Sequence, residues 1–501
     1  MFTSQKLRSL FTSSLVLKMP LLAALLTATA CSSSHSPSLS SASQLPDTNP
    51  SGKQQIQDAL TITDSSGIAI AGAQVLIGTG LNTPFTGNFL TTSASGQVAF
   101  PSAWTTAQPI TIQATGFVRT TFMAQMPTAQ TFKLRPQPSS TQLLVTGQTT
   151  GFGDLQNDGN LNVGIVFPGF SRQNLMSFQL SDVISPVNDQ ISIAGQNISL
   201  PSNVTLPQQT QTYIFFPITF NKPQYRFFVS QTGTYSMVAE RAQLPFQKIV
   251  QAASSGQSLM DSINDIQFVS ASVQNVPVGA QGVSIDLPVN KISFNSSIQV
   301  VAPAIDSAHM VLSIALASQN SLLYPSDIKR LSSGQSQSLT YPSTGTAGTV
   351  LSVLATTNIT SQKGAAAEQM SLTFSPTNQS QSLEFLPVIA APQVQGSVLT
   401  AKLPQVSSQT LADAPPLMTY ACQSTVNGNE LTPEWDIFAP GWIASIQMPT
   451  WPTAKTSEVL QTSNQRWELT YAAGKVDTTQ MSLGGSLLGS ATHLTRSAID
   501  L

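Results

Sequence analysis

Apolar and polar residues alternate along most of the chain with a period of two, the spacing of half-buried β-strands. Residues 57–136 carry the pattern most plainly. "ALTITD" reads as a strand and "DSSG" (Asp64 to Gly67) as a turn. "IAIAGAQVLIG" (Ile68 to Gly78) alternates apolar with small residues. "FLTTSASGQVAF" (Phe89 to Phe100) places a turn at Gly96 ahead of another strand. "PITIQATGFVRTTF" (Pro109 to Phe122) turns at Gly116, and "TFKLRP" (Thr131 to Pro136) closes the unit. Short alternating strands at this spacing predict a β-sandwich.

The alternation continues after Pro138 in "TQLLVTGQTTGF" and "LNVGIVFPGF". "TYIFFPITF" and "QYRFFVS" flank Asn221 to Pro223 and predict a hairpin. Leu244 to Asp265 is the best helical candidate. Phe246, Ile249, Val250 and Ala253 lie near one face, followed by Leu259, Met260 and Ile263, and Gly256 divides the stretch. Seven further strands are expected between Asp265 and Pro392: "IQFVSASV", "GVSIDLPV", "SIQVVAP", "MVLSIALAS", "TVLSVLATTNIT", "EQMSLTFSP" and "SLEFLPVI". A last unit from Val394 contains "WDIFAPG", "IASIQMPTWP", "RWELTYAA" and "THLTRSAID". The predicted class is all-β, with several β-sandwich domains in tandem. The expected units are 57–136, a β-rich unit with a short helix at 137–265, a sandwich at 266–393 and a tryptophan-containing β-rich unit at 394–501.

The first unit resembles the carboxypeptidase regulatory-like domain, a small transthyretin-like sandwich. The matching residues are "TDSSG", "IAGAQVLI" around Ala73 and Val75, "TTSASGQVAF" with Thr92 and Gly96, "ITIQATGFV" with Gly116 and Phe117, and the final "FKL". The resemblance implies a non-catalytic accessory domain and covers about 80 residues.

The N-terminus follows a different logic. Lys6, Arg8 and Lys18 precede the largely apolar stretch Met19 to Ala30, and the first acidic residue is Asp47. A positive segment, a short apolar run and a small-residue end form the pattern of a secretory signal peptide. That run falls short of the ~20 apolar residues of a spanning helix. Leu26 to Ala30 followed by Cys31 resembles the lipobox of bacterial lipoproteins. The resemblance implies cleavage at 1–30 and acylation of Cys31, and Ser32 resembles the residue that sorts such proteins to the outer membrane of a Gram-negative envelope. Residues 31–56 are rich in Ser, Pro and Gln, a tether whose mean span is roughly 25–30 Å. The expected membrane contact is therefore the lipid anchor.

Composition narrows the partners. Charged residues are 9% of the chain and hydrophobic residues 41%, so Ser, Thr, Gln and Asn must wet the surface. With a net charge of −2 and no basic stripe, a nucleic-acid partner is not expected. An unidentified protein or glycan is the expected partner.

Candidate chemistry is sparse. In "GFGDLQNDGNLNVG", residues Asp154, Gln156, Asp158, Asn160 and Asn162 follow the alternation of an oxygen-rich calcium loop and resemble EF-hand and FG-GAP loops. Gln156 and Ile165 depart from the first of these, and a plain hairpin turn at "NDG" is the simpler reading. Calcium is the one cofactor considered. Trp435, Trp442, Trp451 and Trp467 gather near the C-terminus, either as core or as a platform for sugars. His309 and His493 are isolated, Cys422 reads as a buried small hydrophobe, and no hydrolase, metalloprotease, CxxC or P-loop motif occurs. A structural, adhesive or recognition module of the cell envelope is the reading these features favour. An envelope hydrolase with catalytic residues far apart in sequence, and a carbohydrate-binding protein, remain the alternatives.

Overall fold

The computed structural model describes residues 59–85, 89–137, 143–151, 160–169, 190–193, 196–199, 213–215, 224–229, 231–245, 247–248, 251, 259–319, 322–343, 348–356, 366–377, 380–407, 413–427, 430–451, 464–476 and 482–501. The expected signal peptide, Cys31 and the expected tether lie outside them. Within them the protein is all-β, built from sheets packed face to face. No helix among the described residues is long and apolar enough to cross a membrane.

The first unit forms as its alternation predicts. Ala59–Asp64 pairs with Gln97–Ala99 and, in parallel, with Gln130–Leu134. Asp64 Oδ1 accepts from the backbone amides of Ser66 and Ile68, which closes the "DSSG" turn. Gly96 has φ +70°, and a Cβ there would meet the Ile62 carbonyl oxygen at 2.5 Å, so the turn needs glycine. Leu60, Ile62, Phe132 and Leu134 of this small sheet pack against Ile110, Ile112 and Phe122 of a second one.

That second sheet does not stop at the expected boundary. Its strands Leu90–Thr91, Gln74–Ile77, Gln108–Gln113 and Arg119–Gln125 are one end of a twelve-stranded sheet. The sheet continues through Glu430–Pro440, Pro416–Asn427, Gln465–Ala473, His493–Asp500, Ala366–Pro376, Thr349–Thr356, His309–Gln319 and Leu322–Leu331. The expected breaks at 136/137 and 393/394 are therefore crossed by backbone hydrogen bonds. Arg119–Gln125 pairs in parallel with Glu430–Pro440, with Trp435 opposite Arg119 and Phe438 opposite Phe122. Ala366–Pro376 pairs antiparallel with His493–Asp500. Strands buried on both faces leave little sequence trace of which neighbour they choose.

A seven-stranded sheet includes Leu161–Pro168, Gly233–Leu244, Gln267–Val278 and Ile292–Val301. One face, with Val238, Ala242, Phe268 and Ala271, joins the main core under the twelve-stranded sheet. The other, with Val166, Met237 and Val276, packs on Val145, Tyr225 and Val229 of a four-stranded sheet. Among the described residues, the pairing of the predicted hairpin around Asn221 to Pro223 is not found. Tyr213–Phe215 pairs with Leu161–Pro168, whereas Gln224–Val229 pairs with Leu143–Thr150, so the two strands enter different sheets. The turn residues 221–223 lie outside the described residues.

The helical candidate is shorter than expected. Gly233–Leu244 is strand to its last residue. Gln247, Lys248 and Gln251 are helical, and Leu259–Asp265 is a 3-10 helix. Among the strands that the sequence pattern did not single out are Leu322–Leu331 and Ser336–Pro342. In the first, Pro325, Asp327, Lys329 and Arg330 interrupt the apolar alternation. The register shifts at Ala315/Leu316, leaving Ser326 as the extra residue of a bulge on a terminal strand. Such a place tolerates the missing amide of Pro325.

Phe122 is fully buried between Phe132 of the small sheet and Phe438 of the C-terminal unit, with ring centroids 4.5 and 5.6 Å away. Phe122→Ala is expected to cost about 3–5 kcal/mol. Denaturant unfolding followed by tryptophan fluorescence and by circular dichroism should keep coincident transitions. Separate N-terminal and C-terminal transitions in the wild type would contradict a shared sheet.

Candidate functional site

Three of the residues considered for calcium, Asp154, Gln156 and Asp158, lie outside the described residues. Asn160 is half-buried. Asn162 is buried at the start of Leu161–Pro168, where its Oδ1 accepts from Nε and Nη2 of Arg241, each at 3.1 Å. That oxygen faces a guanidinium, a neighbour that opposes a bound cation. Among the described residues no group of three or more His, Cys, Asp and Glu side chains is placed to hold a metal ion.

The four tryptophans do not share an exposed face. Trp435 and Trp467 are 6% and 3% exposed, within a core with Ile437, Leu469, Tyr471 and Ile446. Their burial removes these two from a sugar platform. Trp442 is half-buried and donates from Nε1 to the Ala472 carbonyl at 2.7 Å. Trp451 is half-buried with its ring 4.5 Å from Phe89. Two of these rings enclose a cation. The Arg119 guanidinium carbon lies 5.6 Å from the Trp435 ring centre and 4.8 Å from that of Trp451. Arg119 Nε donates to Gln113 Oε1, and Trp435 Nε1 donates to Thr121 Oγ1 at 2.9 Å. Trp435 and Trp451 thus hold the seam between the first unit and the last.

On the opposite face of the same seam lies a charged belt. The register places Glu368, Ala498, Glu468, Cys422, Asp436 and Thr120 side by side across six strands. The next row on that face is Met370, Arg496, Thr470, Tyr420, Phe438 and Phe122. Glu368 is fully buried and accepts from Nε of Arg496 at 2.7 Å and from its Nη2. Arg466 grips Asp500 with Nε and Nη2 at 2.6 and 3.0 Å. At the far end Arg135 descends from the small sheet onto Asp436, with Nη2 to Oδ1 at 2.7 Å and Nε to Oδ2 at 3.1 Å. The hydroxyl of Tyr420 donates to the same Oδ1 at 2.8 Å. The bidentate geometry matches a guanidinium to a carboxylate.

The electrostatics follow from this packing. Burial opposes the Arg135 charge, but Asp436, Tyr420 and Cys422 together outweigh it and hold the guanidinium well above its ordinary value. Burial, reinforced by Asp436, pushes the Tyr420 phenol well up and the Cys422 thiol up to about 12. Burial raises the Glu368 carboxyl although Arg496 pulls the other way, and Glu468 adds to the rise. The belt can bind and orient chain segments; its acids are matched to guanidinium groups rather than aimed at open space.

The histidines are placed apart. His309 Nδ1 lies 2.6 Å from Asp306 Oδ1, and His493 Nδ1 lies 2.9 Å from Thr492 Oγ1. Neither makes a serine contact among the described hydrogen bonds. The belt residues were not singled out in the sequence, although a signal existed. In a chain with 9% charge, "VRTTF", "KLRP", "EWDIF", "RWELT" and "TRSAID" all set charges inside apolar strand patterns.

No family model matches the chain. No curated protein matches it either. Among solved structures, the Bacillus anthracis TIE protein aligns at 8% identity and a TM-score of 0.15, covering 65% of this chain and 48% of that one. The chain therefore spans about half the length of that protein. A Bacteroides ovatus protein provisionally described as an adhesin aligns at 10% identity and a TM-score of 0.13, covering 48% of this chain and 72% of that one. Likenesses of this degree carry no argument about function.

Removing one partner from a buried ion pair strands the other charge. Asp436→Ala is expected to destabilise by on the order of 3 kcal/mol, the low end for a buried pair because Arg135 keeps some solvent contact. The double variant Arg135→Met/Asp436→Leu should recover most of that loss in a denaturant titration. Cys422 should resist a maleimide at pH 8 in the native protein and react fully once unfolded. Rapid native labelling would mean the belt is open.

Proposed function

We propose that the protein is a lipid-anchored component of a bacterial cell envelope, acting as a structural, adhesive or recognition module. The observation that carries the module reading is the twelve-stranded sheet, which runs through three sequence units and ties them with the Arg119 and Arg135 seams. Sheets joined this way suit a body that transmits force or presents loops in fixed relation, where binding residues usually lie. In this reading Cys31 is acylated, the following Ser-rich tether spaces the body from an outer membrane, and residues 57–136 are a carboxypeptidase regulatory-like domain serving as scaffold. Acyl chains contribute about 0.8 kcal/mol per buried CH₂, enough for two or more to hold a soluble body at a membrane. The recognised partner is a protein or glycan.

Cys31→Ala is expected to move the protein from the membrane fraction to the soluble fraction while leaving its unfolding curve unchanged. Cells carrying the variant should also lose any attachment or partner capture that the anchored protein supports. Unchanged membrane partitioning would sink the anchor, and wild-type attachment by cells lacking the protein would sink the adhesive role.

A further inference from the structure

Glu240 lies on Gly233–Leu244, in the middle of the seven-stranded sheet, opposite Ala271 on one side and Ile165 on the other. It is fully buried, and neither carboxyl oxygen has a hydrogen-bond partner. Its neighbours on the same strand face, Val238 and Ala242, belong to the core shared with the twelve-stranded sheet, as do Phe268 and Ala271. From that facing sheet comes Tyr324, whose phenol is raised by burial and by Glu240. A buried acid without donor or cation is the costliest kind of polar group to keep, and its neutral form is the one a dry core tolerates.

No counter-charge is aimed at it from the packed elements. Leu161–Pro168, Gln267–Val278 and Ile292–Val301 carry no ionisable side chain. On its own strand, Arg241 turns to Asn162, and the Tyr235 hydroxyl donates to the Gln231 carbonyl. On the facing strand Leu322–Leu331, Asp327 and Lys329 pair with each other at 2.9 Å, and Lys329 also donates to the Ile266 carbonyl. Arg330 on that strand is half-buried and adds nothing to the Glu240 carboxyl, whose rise comes from burial alone. In the 3-10 helix, Asp265 pairs with Lys248 at 2.9 Å. On the adjoining strand, His309 is bonded to Asp306.

We propose that Glu240 is a proton-dependent latch between the two large sheets: the neutral carboxyl permits their docking, and its ionisation loosens the seven-stranded sheet from the twelve-stranded one. Burial pushes this carboxyl well above the ordinary glutamate value. The folded state therefore holds a proton that the unfolded chain gives up near the usual carboxylate range, about pH 4.3. Stability is greatest below that range and falls as pH rises towards the folded value, above which the loss is complete. Each pH unit within this window raises the unfolding constant by up to about tenfold.

The test is the unfolding constant of the full chain between pH 4 and 9, for wild type and Glu240→Gln. Every other ionisable group is common to both proteins, so the ratio of the two constants isolates Glu240. That ratio should climb with pH, with Glu240→Gln the more stable protein at neutral pH. A ratio flat across the range overturns the latch. Amide hydrogen exchange on the wild type gives a reading that needs no variant. After correction for intrinsic exchange rates, protection of Gly233–Leu244 and Gln267–Val278 should fall with pH by more than that of Pro416–Asn427. A fall no larger in the first region than in the second would equally overturn the proposal.

Discussion

The parallel pairing of Trp435–Phe438 with Arg119–Phe122 is the constraint on which the architecture rests. It joins segments more than 300 positions apart, and it converts what would be separate sandwiches into one sheet. Backbone hydrogen bonds alone would not select this partner, because any strand edge offers them. Selection comes from the two faces of the seam. On one, Arg119 sits between the Trp435 and Trp451 indoles. On the other, Arg135 clamps Asp436 while Phe122 stacks on Phe438. Both faces combine apolar area with a directional charged contact, so a one-residue slip would bury an uncompensated guanidinium.

The scarcity of charge gives these contacts their weight. Where most proteins place charges in water, this chain buries Arg119, Asp436, Glu368, Arg466, Glu468 and Arg496 in one sheet, among apolar residues and neutral Ser, Thr and Gln. The surface is left to Ser, Thr, Gln and Asn, which bond water without long-range fields. Charges inside then specify registry, the best-attested role of buried ion pairs. Glu240 stands apart from this scheme, since its carboxyl has no partner and its neutrality depends on the proton alone.

Much of the local structure was legible in the sequence. Ala59–Asp64, the "DSSG" turn and the Gly116 turn follow directly from period-two alternation and turn chemistry. Leu322–Leu331 was not legible, because Pro325 and three charged residues broke its pattern and only a bulge on a terminal strand accommodates them. The sheet order was hidden for a different reason. Strands such as Gln465–Ala473, buried on nearly every residue, carry the same signal whichever neighbours they take. The tryptophan cluster was visible, but its service as a clamp was not, because Arg119 lies in a different sequence unit. Of the candidate calcium loop, Asn160 and Asn162 are among the described residues, and Asn162 is turned to Arg241.

The seam has a consequence for the order in which the chain can fold. A ribosome delivers residue 119 long before residue 435, so the Arg119–Gln125 strand emerges with its outer edge open. Until the C-terminal third arrives, that edge presents unpaired amides and carbonyls, with Phe122 uncovered on one face, the arrangement that invites pairing with a foreign strand. Long-range closure of this kind is slow. The chain must therefore be kept from premature contacts while its two ends find one another, and its maturation depends on the arrival of its last strands as much as on the quality of its first.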